Sequence, residues 1–159
     1  MPAVPSSCVF SAAPLPQTPR VVFCFPGQGT QSLGMARQTW KQWPRFRSLF
    51  NELAERLVSR GGVDLHRVIF DADSTPDAEM TLRQTGNAQV AIFVVEYALA
   101  GLWQELGVIP AAVMGHSIGE YAAASIAGVM TPETALDLVA ERGRLIQSLP
   151  PGDMLSISG

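Results

Sequence analysis

Gly115-His116-Ser117-Ile118-Gly119 places a serine between two glycines, with one residue on either side of it. That spacing suits a nucleophile held at the tip of a sharp strand-to-helix turn, where side chains at the flanking positions would clash. The helix that follows points its dipole and free N–H groups at the serine. The N–H of Ile118 can therefore donate to an oxyanion forming beside Ser117. Serine at its ordinary pKa is a poor nucleophile and needs a base. In sites of this type the order along the chain is serine, acid, histidine, yet no histidine follows Ser117. His116 points away from its neighbour across such a turn and reads as support for the elbow. His66, in a short polar stretch, reads as a surface residue.

Two further residues have types that suit chemistry. Arg142 falls seven residues after Ala135, within the stripe formed by Ala135, Leu138, Val139, Leu145 and Ile146, whereas Arg144 falls off it. A buried arginine must meet an anion. Either an internal carboxylate or the carboxylate of a substrate, gripped by two parallel hydrogen bonds, satisfies that need. Gln28 lies in the glycine-flanked loop Pro26-Gly27-Gln28-Gly29-Thr30, directly after an apolar run. Its amide can donate to an oxyanion or brace the turn.

The elements that must hold these residues follow from periodicity. Val21–Phe25 is a continuous apolar run and reads as a strand buried on both faces, with Cys24 as a small core residue. Phe46, Leu49, Phe50, Leu53 and Leu57 recur at helical spacing over Pro44–Arg60, and Gly61-Gly62 ends that helix. Leu65–Phe70 reads as a short helical turn and Asp71–Asp77 as a polar loop. Ala88–Leu106 is apolar almost all round, as in a helix buried within a domain. Ala111–Met114 reads as a strand and Ile118–Ala127 as a helix. Thr131-Pro132-Glu133 is a helix start, running to about Ser148. Met154–Ser158 reads as one more strand. Alternating strands and helices imply an α/β fold with a mostly parallel sheet.

Composition narrows the function classes. The chain has 159 residues, 47% apolar and 16% charged, with a net charge of −3. It can bury a core, and it lacks the basic surface that nucleic acid requires. Its two cysteines and two histidines form no zinc-ligand spacing. The first 20 residues, rich in Pro, Ser and Ala, read as a linker or tail rather than a signal peptide. No stretch is long and apolar enough to span a membrane. A reducing, cytoplasmic setting fits this composition.

Four motifs occur in order: Phe25-Pro26-Gly27-Gln28-Gly29-Thr30-Gln31; Thr85 with Gln89 and Ala91; Gly115-His116-Ser117-Ile118-Gly119-Glu120; and Glu141-Arg142-Gly143-Arg144-Leu145-Ile146-Gln147. Together they resemble the malonyl-CoA:acyl-carrier-protein transacylases, and most closely the acyltransferase domains of polyketide synthases, over Val21–Gly159. Val90 departs from the proline usual after that glutamine. The resemblance implies Ser117 as the acylated nucleophile, Gln28 and the Ile118 N–H as the oxyanion hole, Arg142 as the grip on the malonyl carboxylate, and Gln89 as a pocket residue.

The resemblance also implies an incomplete hydrolase-like large subdomain over 21–150, with 151–159 beginning a ferredoxin-like small subdomain. The catalytic histidine and the residue orienting it would fall beyond Gly159. No bound cofactor is implied. Malonyl-CoA is the substrate, and phosphopantetheine arrives on the partner, an acyl carrier protein. The missing C-terminal half and other synthase domains are further partners. Ile118 leans toward malonyl, because a glutamine after the serine tends to accompany methylmalonyl use in this family. Two other readings stay open on the residues themselves. A serine hydrolase or thioesterase explains the elbow but not Gln28 or Arg142. A catalytically incompetent fragment or docking piece of a larger synthase explains the missing base.

Overall fold

Two short strands form the sheet. In the computed structural model, which describes residues 19–71, 76–150 and 152, β1 (Val22–Phe25) pairs in parallel with β2 (Ala112–Gly115), Val22 opposite Ala112 and Phe25 opposite Gly115. Among the described residues the sheet has these two strands only. The helices are α1 (Arg37–Gln42), α2 (Pro44–Ser59), α3 (Pro76–Arg83), α4 (Thr85–Glu105), α5 (Gly119–Ile126) and α6 (Pro132–Gln147), with one π-helical turn at His66–Asp71.

The buried face of α2 is the one its periodicity demands: Phe46, Leu49, Phe50, Leu53 and Leu57 are all in the core. Each such side chain contributes about 1.5–3 kcal/mol on full burial. Gly61, at φ 78°, ends the helix, and the N–H of Gly62 donates to the Leu57 carbonyl; the left-handed residue is what a glycine supplies at no steric cost. Helix α4 is buried over most of its surface and packs on α2, α5 and α6. At the start of α6, the Thr131 hydroxyl accepts from the Thr134 N–H at 3.2 Å, and Pro132 follows it as the first helical residue. Arg56 and Asp137, 2.7 Å apart, tie α2 to α6.

Several expectations need correction. Cys24 is exposed, as is Val22, so β1 is not buried on both faces. These residues alternate with Phe23 and Phe25, which turn inward, and they stand in register with the exposed Ala112 and Met114. One sheet face is therefore uncovered among the described residues, and apolar periodicity cannot report whether a covering layer is present. Leu138, Leu145 and Ile146 are also exposed, so the buried stripe of α6 is Ala135, Leu136, Val139 and Gly143. His66 is not a free surface histidine: its ring lies 5.2–5.7 Å from those of Trp40, Phe50 and Phe70. Helices α1 and α3, short and weakly patterned, were not foreseen.

The tail expected over 1–20 falls outside the described residues except for Pro19 and Arg20, and the strand expected at Met154–Ser158 falls outside them entirely. Of the polar loop expected at Asp71–Asp77, Asp71 ends the π-helical turn and Pro76 and Asp77 begin α3, while residues 72–75 are not described. Among the described residues no helix is long and apolar enough to cross a membrane.

Candidate active site

The turn after β2 is tight enough to exclude side chains. A β-carbon on Gly115 would stand 2.4 Å from the Glu120 nitrogen, and one on Gly119 would stand 2.2 Å from the Phe25 carbonyl oxygen. Both approaches are to backbone, which cannot swing aside. Ser117 itself has φ 54°, a left-handed conformation that a serine adopts only under constraint. The strand end, the turn and α5 supply that constraint, and the hydroxyl is left exposed. Ile118 caps α5 and is fully buried. Its N–H has no backbone acceptor among the described residues, as expected in the first turn of a helix.

Three other side chains converge here from separate elements. Arg142 on α6 donates through Nη1 to Gln89 Oε1 at 2.7 Å and through Nη2 to Ser117 Oγ at 3.2 Å. Gln89 on α4 is 2% exposed and donates through Nε2 to Gln28 Oε1 at 3.4 Å. A continuous polar chain thus runs Gln28, Gln89, Arg142, Ser117. Arg142 makes no ion pair among the described residues. Arg144, two residues further on, is engaged by Glu141 at 2.6 Å. Of the two openings for Arg142, an internal carboxylate is therefore not the one taken among these residues. A guanidinium whose partners are neutral can still accept an incoming anion.

Among the described residues no base contacts Ser117. The His116 backbone N–H donates to the Phe25 carbonyl. Its imidazole lies over Gly27, with Nδ1 2.7 Å from where a β-carbon of that glycine would be. Glycine at position 27 makes room for this ring, which makes no hydrogen bond to Ser117. His66 sits in the aromatic cluster described above. Among the described residues no group of three His, Cys, Asp or Glu could hold a metal ion.

Residues 22–159 match the family described as the acyl transferase domain. The chain belongs to the acyl transferase domain family. A relative in Mycobacterium tuberculosis, a phenolphthiocerol/phthiocerol polyketide synthase chain, is 41% identical over 143 residues, which are 90% of this chain and 9% of that protein. The acyl transferase domain of ZmaA superposes with a TM-score of 0.79 at 36% identity, covering 84% of this chain and 31% of that one. A malonyl-transacylase solved in complex with its type II polyketide synthase acyl-carrier protein superposes at 0.71 with 34% identity, over 84% of this chain and 40% of that one. This acyl transferase chain thus spans less than half the length of the solved structures it matches. The helix-rich arrangement around a small parallel sheet agrees with an incomplete α/β domain.

Two residues of this acyl transferase chain were not singled out by sequence reasoning. Glu96, on α4, is 8% exposed and neither carboxylate oxygen has a hydrogen-bond partner among the described residues. Burial pushes its carboxyl up to about 8. It lines an apolar cleft of about 800 Å³ together with Phe23, Phe25, Ile92, Leu99 and Trp103. A glutamate breaking the apolar run of α4 was the available signal. Gly143, on the buried stripe of α6, is the second. An isolated glycine inside a helical pattern was the signal there.

Proposed function

We propose that this chain carries the nucleophile and acyl-binding half of a malonyl transferase that moves malonyl from coenzyme A to the phosphopantetheine thiol of an acyl carrier protein. The observation that carries this reading is Arg142. It stands within hydrogen-bond reach of both Ser117 Oγ and Gln89, and among the described residues it has no carboxylate partner. An acyl group attached to Ser117 would hold its far carboxylate about where a forked cation can meet it. An unsubstituted acyl group would make no such contact.

Ser117 Oγ attacks the thioester carbonyl and gives its proton to a base. The carbonyl oxygen becomes an oxyanion, stabilised by the Ile118 N–H and the Gln28 amide. The C–S bond then breaks, coenzyme A leaves as the thiol after taking up the proton, and malonyl remains as an ester on Ser117. The pantetheine thiol attacks that ester by the reverse steps and restores the serine. The base belongs to the part of the domain that this chain does not span, since neither histidine here contacts Ser117. Ile118 leans toward malonyl only through the resemblance, in which a glutamine after the serine tends to accompany methylmalonyl use. The relatives support the carrier protein as acceptor, because they are polyketide synthases and a transacylase solved with its carrier.

The test joins this chain to the remainder of a polyketide synthase acyltransferase domain and incubates it with labelled malonyl-CoA. Peptide mass mapping should place the malonyl ester on Ser117, and Ser117→Ala should take up none. Label on another residue with Ser117 clean would overturn the assignment.

A further inference from the structure

The polar chain that reaches Ser117 depends on two helices, because Gln89 belongs to α4 and Arg142 to α6. Their separation decides whether the guanidinium meets both Gln89 and the serine. Three residues before Gln89, the two helices approach closely. A β-carbon on Gly143 would stand 2.9 Å from Gly86 Cα and 3.3 Å from the Gly86 carbonyl oxygen. Both obstacles are backbone, so relief requires the helices themselves to move. The crossing is asymmetric: a β-carbon on Gly86 would meet the Gly143 carbonyl carbon and oxygen at 3.8 Å, an ordinary contact. One turn further along α6, Gln147 Oε1 accepts from the Gly86 N–H at 3.5 Å.

Glycine inside a helix is unfavourable relative to alanine. Gly143 is in the interior of α6 and is not among the residues with positive φ, so no left-handed backbone calls for it. What distinguishes the position is the close approach. It also directly follows Arg142, while Gly86 precedes Gln89 by three residues. The contact and the polar chain are therefore coupled through less than one helical turn on each side.

We propose that Gly143 is a positioning residue for the acyl-carboxylate grip: by admitting the α4 backbone at Gly86, it sets the reach of Arg142 to Gln89 and Ser117. This rests on the proposal that Arg142 receives the malonyl carboxylate. A methyl group at position 143 drives α6 outward and draws the fork away from the acyl group. Misplacement on the order of 1 Å in such a site can cost about 100-fold in rate. The loss falls on acyl groups that use the fork. Acetyl, which has no free carboxylate, is spared.

The experiment measures kcat and KM for malonyl-CoA and acetyl-CoA in the chain joined to the remainder of an acyltransferase domain. Gly143→Ala should lower malonyl kcat/KM by about 10- to 100-fold, with acetyl changing less than about threefold, so that discrimination between the two collapses. Gly86→Ala, which fits the space, should leave discrimination within about threefold of the parent. Gly86→Leu, which approaches the crossing from its tolerant side, should again lose malonyl selectively, and it supplies the test if Gly143→Ala does not fold. Equal losses for malonyl and acetyl in a folded Gly143→Ala or Gly86→Leu protein would reduce the crossing to simple packing and overturn the inference. Arg142→Ala, measured alongside, separates the two levels. If it leaves discrimination unchanged, the carboxylate grip itself fails and this inference with it. If it collapses discrimination while the crossing variants do not, only the role of Gly143 is lost.

Discussion

Ser117 Oγ meets a cation in this chain, not a base. The contact to Arg142 Nη2 is 3.2 Å, and neither histidine competes for it. An arginine cannot accept the serine proton, so this contact does not activate the serine; under the proposed function it marks where an acyl carboxylate would be received. Arg142→Ala in the complete domain should lose at most on the order of 2–5 kcal/mol toward malonyl, the cost of truncating one partner of a fully buried charge pair, because Arg142 is only half-buried rather than buried as its stripe position suggested. Acetyl transfer should fall less or rise. Parallel kinetics with the two thioesters check this, and equal losses would make Arg142 structural. The motifs made these residues legible in the sequence, because each has a type with a narrow chemical use. The link from Gln28 through Gln89 was not legible, since a glutamine amide hydrogen-bonds equally well to many neighbours.

At the scale of elements, the helices with strong period were legible and the short ones were not. Helix α2 buries its expected apolar set, and the Thr131 cap forms as its type dictates. The stripe of α6 was misjudged because an apolar residue at helical spacing states only that it could be buried. Leu138, Leu145 and Ile146 face away from the neighbours that α6 has among the described residues. Helix α4 carries the element-scale prediction. Its Glu96 has a folded pKa of about 8 against 4.5 for the free group, caused by burial without a partner. Between those values the folded chain keeps a proton that the unfolded chain has released. Stability from this group is therefore present in full below about pH 4.5 and is lost as pH rises through about 8. The loss approaches 1.4 kcal/mol per pH unit within that window, at about one proton of difference. Glu133 and Glu141, lowered by hydrogen bonds from Thr131 and Arg144 respectively, act below the window and with the opposite sign. Denaturant midpoints across the range should slope in the parent and flatten in Glu96→Gln. The same slope in both would show that Glu96 is solvated or paired.

For the whole molecule, the question is what this chain can do by itself. Parallel sheets are ordinarily covered on both faces. Here Val22, at 48% exposed, and Met114, at 59%, stand on an apolar face that nothing covers among the described residues, and the cleft of about 800 Å³ opens beside β1. An exposed apolar face and an unpaired strand edge both favour association. The elbow is preformed, yet among the described residues the serine has no base, and general-base assistance contributes typically about 10²–10⁴-fold. The 159 residues by themselves should therefore transfer malonyl to a carrier protein slower than a complete domain by about that factor, and light scattering should show self-association. Adding the remaining part of an acyltransferase domain as a separate chain should restore turnover and reduce scattering together, because one body of protein would supply the base and cover the apolar face. Restored turnover with unchanged scattering would separate the two roles and place the cover elsewhere. Turnover by the 159 residues equal to that of a complete domain would refute the prediction. His116→Ala and His66→Ala would then reveal which imidazole had left its packing, over Gly27 or among Trp40, Phe50 and Phe70, to reach Ser117.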